Sequence, residues 1–401
     1  MRSFQFTFMV VFGVFYVFTS IGTIFAIELL VNSKFKKLLQ KIVIGLTSII
    51  LVSLILIYIW PGNIRTAENY FLFYLLNGIL SVDLFFKIPL SFFYLLSMFF
   101  YRNKNRQKII SLIGFIISVC FGFTILYGIT FGKTDLQINR VELRYKNLPA
   151  GFNNYQIVHI SDVHLGSFNN SQKLLKKVQR KIEEINPDLI LFTGDLVNNY
   201  ASELNGWKPV FDAINKGRNS FSVLGNHDYG NYSDWQNQIK KRENLLAITN
   251  AHREFGFRLL RNENILVENA NDSIYIVGVE NWGHPPFPQY ANLQKALAGV
   301  PQNAFKILLT HDPAHWEAQV VGKEQIELTL SGHTHGFQIG ILKAGIPFSF
   351  ALLSRKNWGG LYNYNDIYLY VNTGLGVVGL PWRINMPPEI TIITLKRIEI
   401  D

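Results

Sequence analysis

Five apolar runs in this chain each stop at residues able to bind a metal ion or move a proton. "IVHISDVHLG" (157–166) ends by presenting Asp162 and His164, separated by a single residue. "DLILFTGD" (188–195) ends at Asp195, and a third run ends in Gly225, Asn226, His227 and Asp228. "FKILLTHD" stops at His311, and "IELTLSGHTH" stops at His333 and His335. Alone, an Asp or Asn after a strand is a turn residue, and a single His is merely hydrogen-bonded. Recurrence at five run ends has another meaning, because clustered Asp and His groups mark metal binding or catalysis. Carboxyl ends of strands are also where open α/β sheets gather ligands.

The surrounding pattern supplies the strands. Residues 155–161 read as a buried strand, followed by "SQKLLKKVQRKIEEINP" (171–187) with Leu174, Leu175, Val178, Ile182 and Ile185 at helical spacing. Ser171 is the expected cap and Pro187 the stop. With 188–195 this makes a strand–helix–strand unit and a parallel pair. Before it, 136–149 alternates with one break in phase, which predicts an edge strand carrying a bulge. Further strands are expected at 220–224, 274–279, 306–310, 326–330, 367–372 and 389–396. The fold class is α/β with mixed sheets, and no internal repeat is present.

The first third is different. Phe, Leu, Ile and Val dominate to about Gly132, in four stretches near 4–27, 42–60, 70–101 and 109–132. A membrane crossing needs about 20 apolar residues. A cleaved signal peptide does not fit the first stretch, because Lys34, Lys36 and Lys37 follow it and more spans come after. The expected division is a transmembrane helical domain over 1–134 and a second domain over 135–401. The third stretch carries Asp83 and Lys87, four residues apart, which are expected to pair toward the bundle interior. The loop at 32–41 has four lysines and that at 102–108 four basic residues, whereas 61–69 has Arg65 against Glu68. Positive charge stays cytoplasmic, which predicts a multi-pass cell-membrane protein with its second domain extracytoplasmic. A hairpin in the third stretch would invert that.

Charge excludes one class of partner. Residues 1–134 hold 12 Lys/Arg against 3 acids, and 135–401 hold 26 against 25. The second domain is therefore nearly neutral, and no nucleic-acid partner is expected. Cys120 is the one cysteine, so no disulfide forms within the chain. Oligomeric state is not legible.

The ordered set DxH, GD, GNHD, H and GHxH resembles the calcineurin-like metallophosphoesterase family, in its membrane-anchored bacterial branch and its transmembrane relatives. The match covers 157–336 strongly and the segment to 396 more loosely. The resemblance implies an α/β sandwich and a dinuclear metal centre that hydrolyses phosphoester or diphosphate bonds with metal-activated water. It implies Asp162, His164 and His335 on one metal, Asn226, His311 and His333 on the other, and Asp195 bridging. His227 would face the phosphate without binding metal, with Asp228 orienting it. The donors suit Mn, Fe, Zn or Co.

Other residues have plainer roles. His159 is expected in the core, His252 at the surface, and His315 with Trp316 at a helix start. His284, in an irregular loop, is a candidate substrate contact. In "NTGLGVVGLPWRINMPPEI" (372–390), Arg383 either holds a phosphate oxygen or pairs structurally. Val377, Val378, Leu380 and Trp382 either support an acyl chain or belong to the core. A lipid or lipid-linked phosphoester is the substrate expected, with a soluble nucleotide or phosphodiester, or a scaffold lacking turnover, as the alternatives.

Overall fold

The apolar third folds as four long helices: α1 (Arg2–Leu30), α2 (Phe35–Tyr58), α3 (Tyr70–Ser97) and α4 (Lys104–Thr130). The computed structural model describes residues 2–32, 34–58, 70–285, 287–341, 348–353 and 355–399. All four helices are long and apolar enough to cross a membrane. The third stretch is one continuous helix through Pro89 and not a hairpin. The loop at 61–69, with Arg65 and Glu68, lies outside the described residues.

Asp83 and Lys87 pair at 2.6 Å, with Lys87 only 1% exposed. Tyr16 on α1 donates to Asp83 Oδ2 at 2.5 Å, and Lys87 Nζ donates to Thr47 Oγ1 on α2 at 3.0 Å. A buried charge is tolerable only when paired and hydrogen-bonded, and here both conditions are met within the bundle.

Residues Phe131–Val378 with Arg383–Asp401 form a second unit, and Gly379–Trp382 group with the helices. Its strands are β1 (Gln137–Tyr145), β2 (Gln156–Ile160), β3 (Leu189–Phe192), β4 (Asn219–Ser222) and β5 (Arg258–Leu259). After these come β6 (Glu263–Asn269), β7 (Asp272–Gly278), β8 (Lys306–Leu309), β9 (Leu328–Ser331), β10 (Gly340–Ile341) and β11 (Phe348–Ser349). The last are β12 (Gly360–Tyr364), β13 (Ile367–Val371) and β14 (Glu389–Arg397). Two six-stranded sheets result, ordered β1-β14-β2-β3-β4-β5 and β12-β13-β9-β8-β7-β6, with β10-β11 as a small separate pair.

The inner faces of the two sheets share one core, with Ile157, Leu189, Leu191 and Ile393 from the first and Ile276, Ile307, Leu309 and Leu330 from the second. Helices α5 (Lys173–Ile185) and α6 (Lys208–Asn215) cover the outer face of the first sheet, through Leu175, Val178, Ile182, Phe211 and Ile214. A third helix, α7 (Gln238–Glu254), adds Ile248 there, while α8 (Leu293–Ala296) and Trp316 cover the second sheet. Central strands buried on both faces read as near-continuous apolar runs, which is why "LILF" and the three residues after Lys306 in "KILL" carry no alternation.

Three local expectations are corrected, and unexpected strands are added. β1 is an edge strand, but it pairs without a break from Gln137↔Glu389 to Tyr145↔Arg397, so no bulge is present. The cap of α5 is Gln172, not Ser171, and makes no side-chain capping bond. His252 is buried, its Nδ1 paired with Ser222 Oγ at 2.9 Å, because α7 turns that side onto Phe192 and Phe257. Strands β6 and β12 were not expected, because their hydrogen-bonded partners are what fix them.

Candidate metal centre

The five motifs converge because their strands end at one edge of the sandwich. β2, β3 and β4 deliver Asp162, His164, Asp195 and Asn226 from one sheet, and β8 and β9 deliver His311, His333 and His335 from the other. Asp162, His164, Asp195, His333 and His335 all have positive φ, between 46° and 72°. For residues other than glycine this costs of order 1–3 kcal/mol each, and it persists only where surrounding structure over-determines it. Here the over-determination is visible. Asp162 Oδ2 accepts the His333 amide at 3.0 Å, and Asp195 Oδ1 accepts that of His227 at 2.8 Å.

Two donor groups form. In the first, His164 Nε2 and His335 Nε2 are 3.0 Å apart, with His335 Nε2 at 3.3 Å from Asp162 Oδ1. In the second, Asn226 Oδ1 lies 2.9 Å from His311 Nε2 and 2.7 Å from His333 Nδ1. Asp195 Oδ2 stands between them, 3.5 Å from His164 Nε2 and 3.2 Å from His311 Nε2. Asp162 also approaches the second group, since Asp162, Asp195 and His311 bring ligand atoms within 4.8 Å of one another. The Nδ1 of His311 donates to the Thr193 carbonyl at 2.7 Å, which aims the Nε2 lone pair inward.

Electrostatics favour a cation at this spot. Burial works against the charge on Asp162 and Asp195, but the imidazoles around them win and hold both carboxylates below their ordinary range. Burial pushes His164 well down and His333 to about 4, leaving their rings neutral. His311 is the exception. Burial opposes its charge, yet Asp195 and Asp162 outweigh that and push it up to about 10. Ionised carboxylates and mostly neutral imidazoles are the forms that bind metal, and the field that draws a proton onto His311 suits a divalent cation. The donor set therefore fits a divalent metal site, with oxygen and imidazole ligands and no thiolate.

The neighbouring residues fall into place by contact. His227 is half-buried, its ring edge-on to His164 and stacked on Tyr232 at 4.5 Å, and its Nδ1 meets the Asn198 carbonyl at 2.7 Å. Asp228 does not orient His227. Its carboxylate instead accepts the amides of Gly225, Asp195, Leu196 and Val197, so it shapes the loop that carries Asp195. Burial, then the charge of Asp195, pushes Asp228 up to about 7. His284 is 45% exposed and lies 3.5 Å from Asp312 Oδ2, beside His311.

Arg383 is fully buried. Its guanidinium donates to the carbonyls of Thr373, Gly376 and Met386, and Nη2 lies 3.2 Å from His335 Nδ1. The loop it braces reaches the first ligand motif, where the amides of Leu375 and Gly376 donate to the Asp162 carbonyl. Among the other tail residues, Val377 is buried, and Trp382 donates to Ser81 Oγ within the helical unit.

Three contributors had no sequence signal of their own. Arg355 places Nη2 3.3 Å from His333 Nε2 and Nη1 3.5 Å from Asp312 Oδ1. Tyr232 accepts from the Asn226 amide at 2.9 Å. Glu203 accepts the amides of Gly166, Asn198, Asn199 and Tyr200, and so sets the carbonyl that holds His227. Arg355 reaches back to His333 and Asp312, while Tyr232 and Glu203 act largely on their own loops, and no motif spacing marks any of the three.

Comparison with known proteins gives the site a context. The family model for calcineurin-like phosphoesterases matches residues 155–337. A metallophosphoesterase of Bacillus subtilis, YkuE, is 32% identical over 254 residues, covering 62% of this chain and 82% of that protein. A transmembrane protein with metallophosphoesterase domain from Danio rerio is 29% identical over 276 residues, 68% of this chain. The match spans 60% of that relative's length. The UDP-2,3-diacylglucosamine pyrophosphatase LpxG of Chlamydia muridarum is 27% identical, over 64% of this chain and 88% of its own.

Proposed function

The chain belongs to the calcineurin-like phosphoesterase family, and from that premise we propose that it is a membrane-anchored, dinuclear metal-dependent hydrolase of a phosphoester or diphosphate bond. The observation that carries this is Asp195, whose single oxygen Oδ2 faces a nitrogen donor of each group, at 3.5 and 3.2 Å. One carboxylate shared by two donor sets is the arrangement a two-ion site requires. Asp162, His164 and His335 would hold one ion, and Asn226, His311 and His333 the other. Two divalent ions, of Mn, Fe, Zn or Co type, would lower the pKa of water and offset charge on the phosphate.

The chain's own groups supply the rest. His227 keeps Nδ1–H on the Asn198 carbonyl, which leaves Nε2 as the other ring nitrogen; when the ring is doubly protonated, Nε2–H can give its proton to a leaving oxygen and the ring returns to neutral. Arg355, a quarter exposed, presents a guanidinium beside His333 for a phosphate oxygen. His284 stands at the same side, near Asp312. Arg383 acts from behind, by bracing the 373–376 loop.

The substrate we propose is a phospholipid or lipid-linked phosphoester. Four helices able to cross a membrane confine the chain to where lipids are, and one relative is a pyrophosphatase of a diacylated sugar nucleotide. The lysines of 32–41 and the basic residues of 102–108 support a hydrolase domain outside the cytoplasm.

The test is hydrolysis by the detergent-purified protein of an aryl phosphodiester, an aryl phosphomonoester and a phospholipid panel. Activity is expected to need added Mn and to vanish in Asp195→Ala and His227→Ala. Bound metal with no turnover on any of these substrates would move the reading to a scaffold.

A further inference from the structure

A cavity of about 300 Å³ lies outside the metal centre, lined wholly by residues of the α/β unit. Its lining includes the polar residues Lys133, Lys173, Asn169 and Ser171 and the apolar residues Phe168, Leu174, Leu375 and Val377. Neither lysine has an acidic partner or a hydrogen bond among the described residues, and no acid lines the cavity. Two cations held at one cavity without a counter-charge repel each other and favour an anion between them. Lys173 also opens α5, whose cap Gln172 leaves the first-turn amides without a side-chain acceptor.

We propose that this cavity is a second anion site, which binds the phosphate of an anionic lipid headgroup between Lys133 and Lys173. The apolar lining residues take the first carbons of the lipid's chain. Three observations select an amphiphile. The lining combines two lysines with apolar side chains. Its volume, at the small end of ligand sites, suits a headgroup and not a whole lipid. And Lys133 follows the end of α4 at Thr130 by three residues, so the chain holds it where a membrane-crossing helix meets the headgroups.

The cavity also adjoins the metal ligands through backbone. Ser167 and Phe168 belong to the turn Leu165–Phe168, which starts at His164, and the amides of Leu375 and Gly376 donate to the Asp162 carbonyl. A bound headgroup thus rests on the loops that set Asp162 and His164.

The experiment uses the full-length protein as purified, with its metals, in a neutral detergent. Equilibrium binding is measured for dihexanoyl phosphatidate, dihexanoyl phosphatidylcholine and inorganic phosphate, with metal content determined alongside. The wild type is expected to bind phosphatidate at least tenfold tighter than the other two. Lys133→Gln with Lys173→Gln is expected to lose at least tenfold in phosphatidate affinity at unchanged metal content. Equal affinity in wild type and double variant would overturn the site while leaving the proposed hydrolase untouched. An equal loss of inorganic phosphate and phosphatidate affinity in the double variant would overturn the lipid assignment. If the double variant fails to fold, Lys173→Gln alone replaces an exposed side chain, and a loss of about threefold is expected; no loss would again overturn the site.

Discussion

The Asn198 carbonyl oxygen sits 2.7 Å from His227 Nδ1, and this contact decides what His227 can do. A carbonyl only accepts, so Nδ1 carries the hydrogen and Nε2 is left to face the reaction space. Asn198 is itself held by Glu203, which accepts its amide at 2.7 Å along with three others. Glu203→Ala would leave several buried amides without an acceptor, a loss of about 3 kcal/mol or more. Its predicted signature is a lower Tm together with a fall in kcat at unchanged metal content. His227→Ala should lower kcat by ~10²–10⁴-fold without the fall in Tm. Identical turnover in wild type and Glu203→Ala would break this chain of contacts.

Gly225 is packed so closely on Asp195 that a Cβ there would overlap Asp195 Oδ1 and its amide. Gly225→Ala must therefore displace the carboxylate that faces both donor groups. Loss of bound metal and of activity is expected, with destabilisation of about 1–3 kcal/mol from overpacking. Gly206→Ala is the control, because its φ of +82° is strained for alanine but nothing lies within 4 Å. That variant should cost about 1 kcal/mol and keep its metal. Metal analysis of the two proteins separates the cases.

The site was more legible than the frame that strains to hold it. Motif order places Asp162, Asp195 and His311 beyond strand ends because apolar runs and their terminating residues are local signals. The αL backbone of Asp162, His164 and Asp195 was not legible, since their side chains give no sign of φ. Asp228 was misread for a related reason. Adjacency in GNHD suggested that it held His227, whereas a tight loop turns it onto the amides of 195–197. In the membrane third, counting charges found Asp83 and Lys87 but not Tyr16 and Thr47. Those two are unremarkable until the helices pack.

Arg383 offers a test of bracing against substrate binding. Its guanidinium is fully buried and gives its donors to the Thr373, Gly376 and Met386 carbonyls. Lysine cannot reproduce that fork. Arg383→Lys is expected to lower Tm by several degrees and weaken metal retention while KM stays within about twofold. A KM raised tenfold or more at unchanged Tm would show that the residue meets substrate.

Metal removal should destabilise the α/β unit. Asp162, His164, Asp195, His311 and His335 are all buried, and a ligand bound only by the folded state adds stability by mass action. Chelation of a protein held at about 1,000 times its metal Kd should therefore lose ~4 kcal/mol. The expected result is a lower Tm with chelator, restored by excess Mn or Zn. In Asp195→Ala the chelator-induced shift should shrink. An undiminished shift there would argue that the ion lies elsewhere.

Sidedness decides which lipid phosphates the domain can meet, and the structure makes it testable at single residues. With α3 continuous through Pro89, four helices are long and apolar enough to cross, and four crossings would put both ends of the chain on one side. Arg102 and Glu184 are both exposed, one in the basic loop before α4 and the other on α5. In a Cys120→Ser background, Glu184→Cys is expected to react with an impermeant maleimide in intact cells, and Arg102→Cys only after lysis. That pattern would direct the substrate search to phosphoesters displayed outside the cytoplasm. The reverse pattern would put the metal centre in the cytoplasm.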